Sequence, residues 1–281
     1  MVRGRTECDS PSKLLQPSSL NFIETKTRYA IIYFMGIVIG LIILGLLGGF
    51  LVNYLADVLP EVRRLGQPVC WNCNMEISWS DYLLLRSCKS CGKSRSTRTY
   101  IILVLIPAIM VYLWLVPPRQ MELPLAFILL IYLLLIATID IEHRLILHMT
   151  SIVGGLIGLG IGIHLHGIVP TLIGGAAGYG VMLVFYFFGE LFVRYMSKRR
   201  NEATDEVALG FGDVNLAGIT GLLLGWPVII LGLLFTILAG GLVSLLIVAV
   251  MLLRRQYKAF FAIPYGPFMI LSILLLLFRP K

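Results

Sequence analysis

The chain has 281 residues, of which 58% are hydrophobic and 14% are charged. A soluble protein would carry about a quarter charged residues, so the composition indicates a membrane protein. The net charge of +8 does not indicate nucleic-acid binding, because the Lys and Arg residues stand in short blocks between apolar runs, as membrane topology requires.

Residues 1–28 form a polar N-terminal tail that contains a lone cysteine, Cys8. The tail has no short apolar stretch followed by a cleavage site, so the sequence predicts no cleaved signal peptide. Residues 29–52 contain no Asp, Glu, Lys or Arg. Because about 20 apolar residues cross a bilayer, we predict a first transmembrane helix over 29–56.

A polar module over residues 57–99 contains the other four cysteines, as two Cys-x2-Cys pairs with 14 residues between them. Five cysteines are too few for a dense disulfide scaffold, and this spacing is typical of one tetrahedral Zn²⁺ site. Four protein ligands leave no open position, so the metal would be structural. A redox-active pair and another thiophilic metal are the alternatives. The predicted ligands are Cys70, Cys73, Cys88 and Cys91.

Residues 100–281 contain seven further apolar runs, of which the fifth and sixth are separated by "GWP" at 225–227. The fold class is therefore an all-α polytopic membrane protein with about eight transmembrane helices and a small cytoplasmic zinc module between the first two. The seven runs lie near 100–116, 124–140, 145–163, 168–189, 209–225, 226–252 and 262–278.

Positive charge orients the predicted helices. The loops on the side of the cysteine module carry 15 Lys and Arg residues, among them those of the polar loop 194–206, and the opposite side carries 3 besides the tail. Basic loops favour the cytoplasm, so the module is predicted to be cytoplasmic. The tail, with 5 basic residues, then lies outside and is the one discordant segment.

Two aspartates lie at the same predicted depth. Asp140 ends the third span and Asp213 begins the sixth, so both reach the cytoplasmic boundary. Carboxylates in membrane spans are costly and usually functional. Two that meet cannot both be ionised, so they share a proton, and one can act as general base while the other polarises a carbonyl. Gly210 and Gly212 leave room beside Asp213 for a peptide backbone.

Each aspartate also has a structural interpretation. Asp140 could be a boundary residue, and Asp213 could be a helix N-cap. Glu142 is predicted in the interfacial loop, with substrate binding as the alternative, and Glu190 is predicted to be an interfacial anchor. His143 and His148 flank Asp140. The glycines of 154–180 favour close helix packing, or else a gap that admits a substrate helix.

Four segments in order resemble those of the bacterial type IV prepilin peptidases, a leader peptidase and N-methyltransferase family of intramembrane aspartyl proteases. "GFGDVNLAGITGLLLGW" resembles their G-x-G-D segment, and "ATIDIEHRLILHMTS" their first catalytic-aspartate segment. "GGFLVNYLADVLP" resembles the end of their first span, and "AIPYGPFMILSILLL" their C-terminal G-P-F segment. The paired cysteines lie in the expected loop.

The resemblance implies a bacterial inner-membrane enzyme that cleaves basic leaders from type IV prepilin or pseudopilin precursors at the cytoplasmic face. Asp140 and Asp213 would be the catalytic pair, and the cleavage would need no metal. Membrane lipid is an expected partner and nucleic acid is not. Many members also methylate the new N-terminus with S-adenosylmethionine, an activity tied to the cytoplasmic loop.

The chain departs from the family at several positions. Leu147 and His148 replace the usual Pro and Asp or Asn, Asn215 replaces a usual Lys, and Arg86 replaces a usual Gly. The departures in the cysteine loop leave methylation open. Two alternatives remain: another G-x-G-D protease of the preflagellin or presenilin type, and a membrane scaffold or proton-coupled carrier with a zinc hook.

Overall fold

The computed structural model describes residues 17–200, 210–254 and 265–279. Within these ranges the chain forms helices, and the only strand-like pairing is an isolated bridge between Val69 and Glu76. In chain order the helices are α1 (Pro17–Val62), α2 (Trp79–Leu83), α3 (Thr97–Leu115), α4 (Leu123–His143), α5 (His148–His166), α6 (Ile168–Arg200), α7 (Phe211–Leu224), α8 (Val228–Leu253) and α9 (Gly266–Leu277).

The predicted fold class is confirmed. Apart from the five-residue α2, the helices of the described ranges correspond one to one with the eight predicted spans. Six of them are long and apolar enough to cross a membrane. The shorter two are α7, with 14 residues, and α9, with 12. The predicted break at 225–227 falls between α7 and α8, as the Gly and Pro there indicate.

Two helices are longer than their apolar runs. α1 has 46 residues and extends beyond the predicted 29–56 at both ends. α6 continues to Arg200, so the first part of the predicted loop 194–206 is helical. Residues 201–206 and Cys8 lie outside the described residues. An apolar run misses such extensions, because helices can continue past the membrane into polar sequence, and the extension of α1 even includes Pro60.

The core has two parts, which α4 joins. One face of α4 packs with α1 and α3 in a cluster that includes Ile106, Met110 and Ile139. Its other face packs with α7 and α9 in a larger cluster that includes Leu133, Leu216 and Ile273. The polar end of α4 is therefore held from both sides. We call the end of the bundle where α4 ends and α7 begins the module end, because the cysteine module lies there.

The centre of the larger cluster is α7, which contacts α5, α6, α8 and α9. Nine of its 14 residues are buried. Glycines allow α6 and α7 to touch backbone to backbone: a Cβ atom at Gly174 would lie 2.5 Å from the carbonyl oxygen of Gly221. Small residues at a helix contact permit such an approach in lipid, so the packing interpretation of these glycines holds for this contact.

This contact gives a test of the packing. We expect Gly221→Ala to destabilise the protein by about 1–3 kcal/mol, because its new methyl group would lie 2.7 Å from the carbonyl carbon of Gly174 and must displace α6. Gly241→Ala is the matched control, since a Cβ there meets nothing within 4 Å. Thermal unfolding in detergent compares the two, and equal stability of both variants would contradict the contact.

Candidate active site and metal centre

Asp140 lies in the last turn of α4 and is buried, with 3% of its surface exposed. The helix ends at Arg144, which adopts a left-handed conformation (φ 51°) and donates its N–H to the carbonyl of Asp140 at 2.9 Å. Among the described residues, the Asp140 Oδ2 atom has no hydrogen-bond partner. A carboxylate oxygen buried without a partner is costly and therefore typical of a functional site.

The N-terminus of α9 lies against this carboxylate. Gly266, the first residue of α9, contributes a backbone N–H that interacts with Asp140, and a side chain at position 266 would collide with the Asp140 carboxylate. The partial positive charge of a helix N-terminus stabilises an anion there. The sequence reasoning quoted the G-P-F segment but assigned Gly266 no role, because its contact with Asp140 depends on tertiary structure.

Asp213 is the third residue of α7. The N-cap of α7 is Gly210, so Asp213 is not the N-cap that one interpretation of the sequence assumed. The Asp213 N–H donates to the Gly210 carbonyl at 3.0 Å, and its carboxylate interacts with the Gly210 N–H. A carboxylate at the third helical position that reaches back to the N-cap N–H is half of a capping box. This role is structural, and it holds the side chain at the helix mouth.

The fold brings the two aspartates together at the module end. The carboxylates of Asp140 and Asp213 interact electrostatically, and both lie at helix N-termini, those of α9 and α7. A Cβ atom at Gly212 would lie 2.7 Å from Cβ of Ile146, so this glycine lets α7 approach the link after α4. The catalytic role of the pair, and that of Gly210 and Gly212, remains a prediction.

A second group of charges at this end was missed from the sequence. Arg98, at the start of α3, forms salt bridges with Asp57 of α1 and with Glu142 of α4. Tyr82 of α2 donates a hydrogen bond to Asp57 at 3.1 Å. The Asp57 and Arg98 side chains are 4% and 13% exposed. Glu142 lies in the last turn of α4, two residues after Asp140, and not in a loop as predicted.

A signal for this group existed. Asp57 follows the first apolar run and Arg98 precedes the second, so both stand at span ends on the same predicted side. Glu190, by contrast, pairs with Arg194 on an exposed face of α6, at 2.5 Å, as an interfacial residue would. The Arg98 bridges join α1, α3 and α4 at the module end, and they therefore position the turn that carries Asp140.

We expect Arg98→Gln to destabilise the protein by about 3–5 kcal/mol, because removing one partner of a buried pair leaves Asp57 and Glu142 uncompensated. Arg194→Gln is the control, since its pair is exposed and should contribute about 1 kcal/mol or less. Thermal unfolding in detergent measures both. An Arg98→Gln variant as stable as the control would show that the bridges do not hold the module end.

The four predicted metal ligands lie together. Their sulfur atoms are all within 4.8 Å of one another, and the Cys70–Cys91 and Cys73–Cys88 pairs are each 3.7 Å apart. A tetrahedral site with Zn–S bonds of about 2.3 Å places its sulfurs about 3.8 Å apart. The cluster could therefore hold a metal ion, and its donor set fits structural Zn²⁺.

The two Cys-x2-Cys turns have the same local structure. In each, the residue four positions after the first cysteine has a left-handed backbone, Asn74 with φ 54° and Gly92 with φ 69°, and donates its N–H to that cysteine's carbonyl. In the second turn the backbone N–H groups of Cys91 and Ser90 lower the pKa of the Cys88 thiol to about 6. These N–H groups stabilise a thiolate, the form that binds metal.

The module docks on α1 and is stabilised by its own ion pairs. The Tyr54 ring of α1 packs on Trp79, with ring centroids 4.9 Å apart. Lys89 and Arg86 contact Asp81 at 2.6 Å and 3.3 Å, and these cations, Lys89 above all, keep the pKa of Asp81 below its usual value. The segment from Asp81 to Cys88 is short in the sequence, and the ion pairs of Asp81 with Arg86 and Lys89 hold its two ends together.

We expect about one Zn²⁺ per chain in carefully loaded protein. Cys73→Ser should lose it, and residues 63–95 should then become sensitive to trypsin, because so small a module lacks a core without metal. Cys8→Ser is the matched control and should keep both the metal and the resistance. Elemental analysis and limited proteolysis measure the two effects. Less than about half a zinc per wild-type chain would contradict the assignment.

Comparison with known families agrees with this geometry. Residues 127–245 match the model of the type IV leader peptidase family. The match supports a prepilin-peptidase-type family. No curated protein and no solved structure matches the chain significantly.

The part that matches the type IV leader peptidase family contains both aspartates and the α6–α7 glycine contact, and it excludes the cysteine module and α9. The family is one of peptidases of the aspartyl type. The module and the N-terminus of α9 thus lie outside the matched segment, and they contact the same end of the bundle.

Proposed function

We propose that this protein is an intramembrane aspartyl endopeptidase that removes the basic leader from type IV prepilin or pseudopilin precursors at the cytoplasmic face of a bacterial inner membrane. The observation that carries the proposal is the electrostatic contact between Asp140 and Asp213 at one end of an apolar bundle, inside the segment that matches the type IV leader peptidase family.

The chemistry follows from two carboxyl groups that share one proton. The ionised group takes a proton from water, and the water oxygen attacks the carbonyl carbon of the scissile peptide. The protonated group donates a hydrogen bond to the carbonyl oxygen, which takes the negative charge. The C–N bond then breaks, the leaving amine takes a proton from the pair, and the products are a carboxylate and a new N-terminus.

The position of the pair supports a leader substrate. Both aspartates lie in terminal helical turns, next to the basic loops that favour the cytoplasm. A carrier would place its carboxylates near mid-bilayer, between broken helices. Here they lie where an extended basic leader would give way to an apolar helix. A preflagellin-type or presenilin-type protease uses the same pair of aspartates, so substrate tests distinguish these alternatives.

We expect Asp140→Asn and Asp213→Asn each to reduce cleavage of a pilin precursor by about a thousandfold or more, because each removes one member of a pair that acts as a unit. Glu190→Gln is the matched control, an equal change at an exposed carboxylate, and should cleave normally. Mass spectrometry of the product N-terminus gives the rate. Full cleavage by either aspartate variant would disprove the pair.

The same assay, run with and without S-adenosylmethionine, reports N-methylation separately. Cleavage adds a new amine in either case, and methylation adds the mass of one methyl group only when the cofactor is present. A precursor that is cleaved without this addition makes the enzyme a peptidase alone. Precursors of the preflagellin type, offered in parallel, test the alternative substrate class.

A further inference from the structure

A groove of about 490 Å³ lies between α5 and α6, and α7 forms its floor. The two walls contribute Ile152 and Leu172, which are 57% and 51% exposed. The groove therefore opens toward the surrounding bilayer rather than into the core. Its volume lies within the range of ligand-binding clefts.

The groove begins at the depth of the candidate active site along α7. Its floor runs along α7 from Asn215, two residues after Asp213, to Leu222. At 1.5 Å per residue this floor is about 10 Å long, or two helical turns. His148, the first residue of α5, lines the same end as Asn215. Residues two apart lie on nearly opposite faces of a helix, so the polar end of the groove lies at the depth of Asp213 but across the mouth of α7 from it, and the groove runs from there into the apolar part of the bundle.

The lining changes in polarity along this direction. At the end near Asp213 it presents the imidazole of His148, the hydroxyl of Ser151 and the amide of Asn215. At the far end it presents Leu172 and Leu222. Polar groups suit a peptide backbone that is not fully helical, while aliphatic side chains suit an apolar helix. A single peptide segment that is non-helical at the polar end and an apolar helix at the aliphatic end would match both ends of the groove.

Small residues make the space. Gly175, Ala176 and Gly218 line the groove where α6 passes over α7. The tight α6–α7 contact at Gly174 and Gly221 holds the two backbones together beneath it. The glycines of 154–180 had two interpretations, close packing or a gap. Packing holds on the inner side of this contact, and a gap is present on its outer side.

From this arrangement we infer that the groove binds the apolar segment of the precursor that directly follows the scissile bond, and that Asn215 and His148 contact its first residues. The inference rests on the proposed peptidase function and names the substrate segment that the site holds. The polar end of the groove lies at the depth of Asp213, so a helix that ends there needs only about three extended residues around the mouth of α7 for its scissile bond to reach the pair.

The basic leader does not fit this groove. Burying Lys or Arg in an apolar membrane site costs several kcal/mol, and the lining residues carry no carboxylate to compensate. A lipid acyl chain is the competing occupant, because the groove is open to the bilayer. It would use the aliphatic end alone and would give the polar residues near Asp213 no partner.

Photo-crosslinking tests the occupant directly. A benzophenone amino acid at position 176, in the Asp213→Asn full-length protein in liposomes, should crosslink to the first turns of the precursor's apolar segment. Position 249 is the matched control: Ala249 is also an exposed helical alanine, but it lies on α8 away from the groove. Crosslinks from position 176 to lipid alone, or to the leader, would overturn the inference.

Filling the groove tests its function. We expect Ala176→Trp to lower kcat/KM for the full precursor by at least about tenfold. Ala249→Trp should leave kcat/KM unchanged. A short precursor that ends a few residues after the scissile bond should be cleaved equally by both variants, because it has no helix to seat. Equal cleavage of the full precursor by both would also overturn the inference.

The outcomes separate the inference from the function on which it rests. If wild-type protein cleaves no precursor, long or short, the proposed peptidase function fails and the groove assignment fails with it. If wild-type protein cleaves both and Ala176→Trp loses both equally, the substitution damages the pair and not helix binding, and the groove assignment alone fails. Loss confined to the full precursor supports it.

Discussion

The placement of two carboxylates in an apolar bundle, Asp140 buried and Asp213 half-buried, is the constraint on which the rest of the module end depends. A carboxylate in an apolar helix costs a few kcal/mol unless its surroundings compensate. Here the compensation is backbone: Asp140 faces the N-terminus of α9 and Asp213 reaches back to the N-terminus of α7. Neither carboxylate has a salt-bridge partner among the described residues, so no cation of this part of the chain competes with the proton that the proposed mechanism has them share.

The other charged residues at the module end have a different role. Arg98, Asp57 and Glu142 join three helices, and the hydroxyl of Tyr82 links them to the cysteine module. The bridges fix the last turn of α4 from outside the site and leave the aspartate pair free of cations. A metal-stabilised module that holds α1 would stiffen this frame. That would give it a structural contribution to the proposed peptidase activity, outside the chemistry of the aspartate pair.

Sequence reasoning could identify the cysteine ligands, because their spacing is a local property. It could place the two aspartates at one depth, because counting the membrane spans gives the depth of each. It could not find Gly266, whose contact with Asp140 depends on how α9 packs on α4. Nor could it find the pairing of Asp57 with Arg98, which are 41 residues apart. The ends of α1 and α6 were missed for another reason: both helices continue into polar sequence, which hydrophobicity does not mark, and α1 does so past Pro60.

The shortness of α7 has a consequence for the surrounding lipid. Its 14 residues span about 21 Å, whereas the hydrocarbon core of a bilayer is about 30 Å thick. Either the mouth of the helix lies below the headgroups or the bilayer thins beside the bundle, and both responses depend on acyl-chain length. Hydrophobic mismatch thus becomes a property of the proposed active site, and membrane thickness would set how far a scissile bond must descend to reach Asp213.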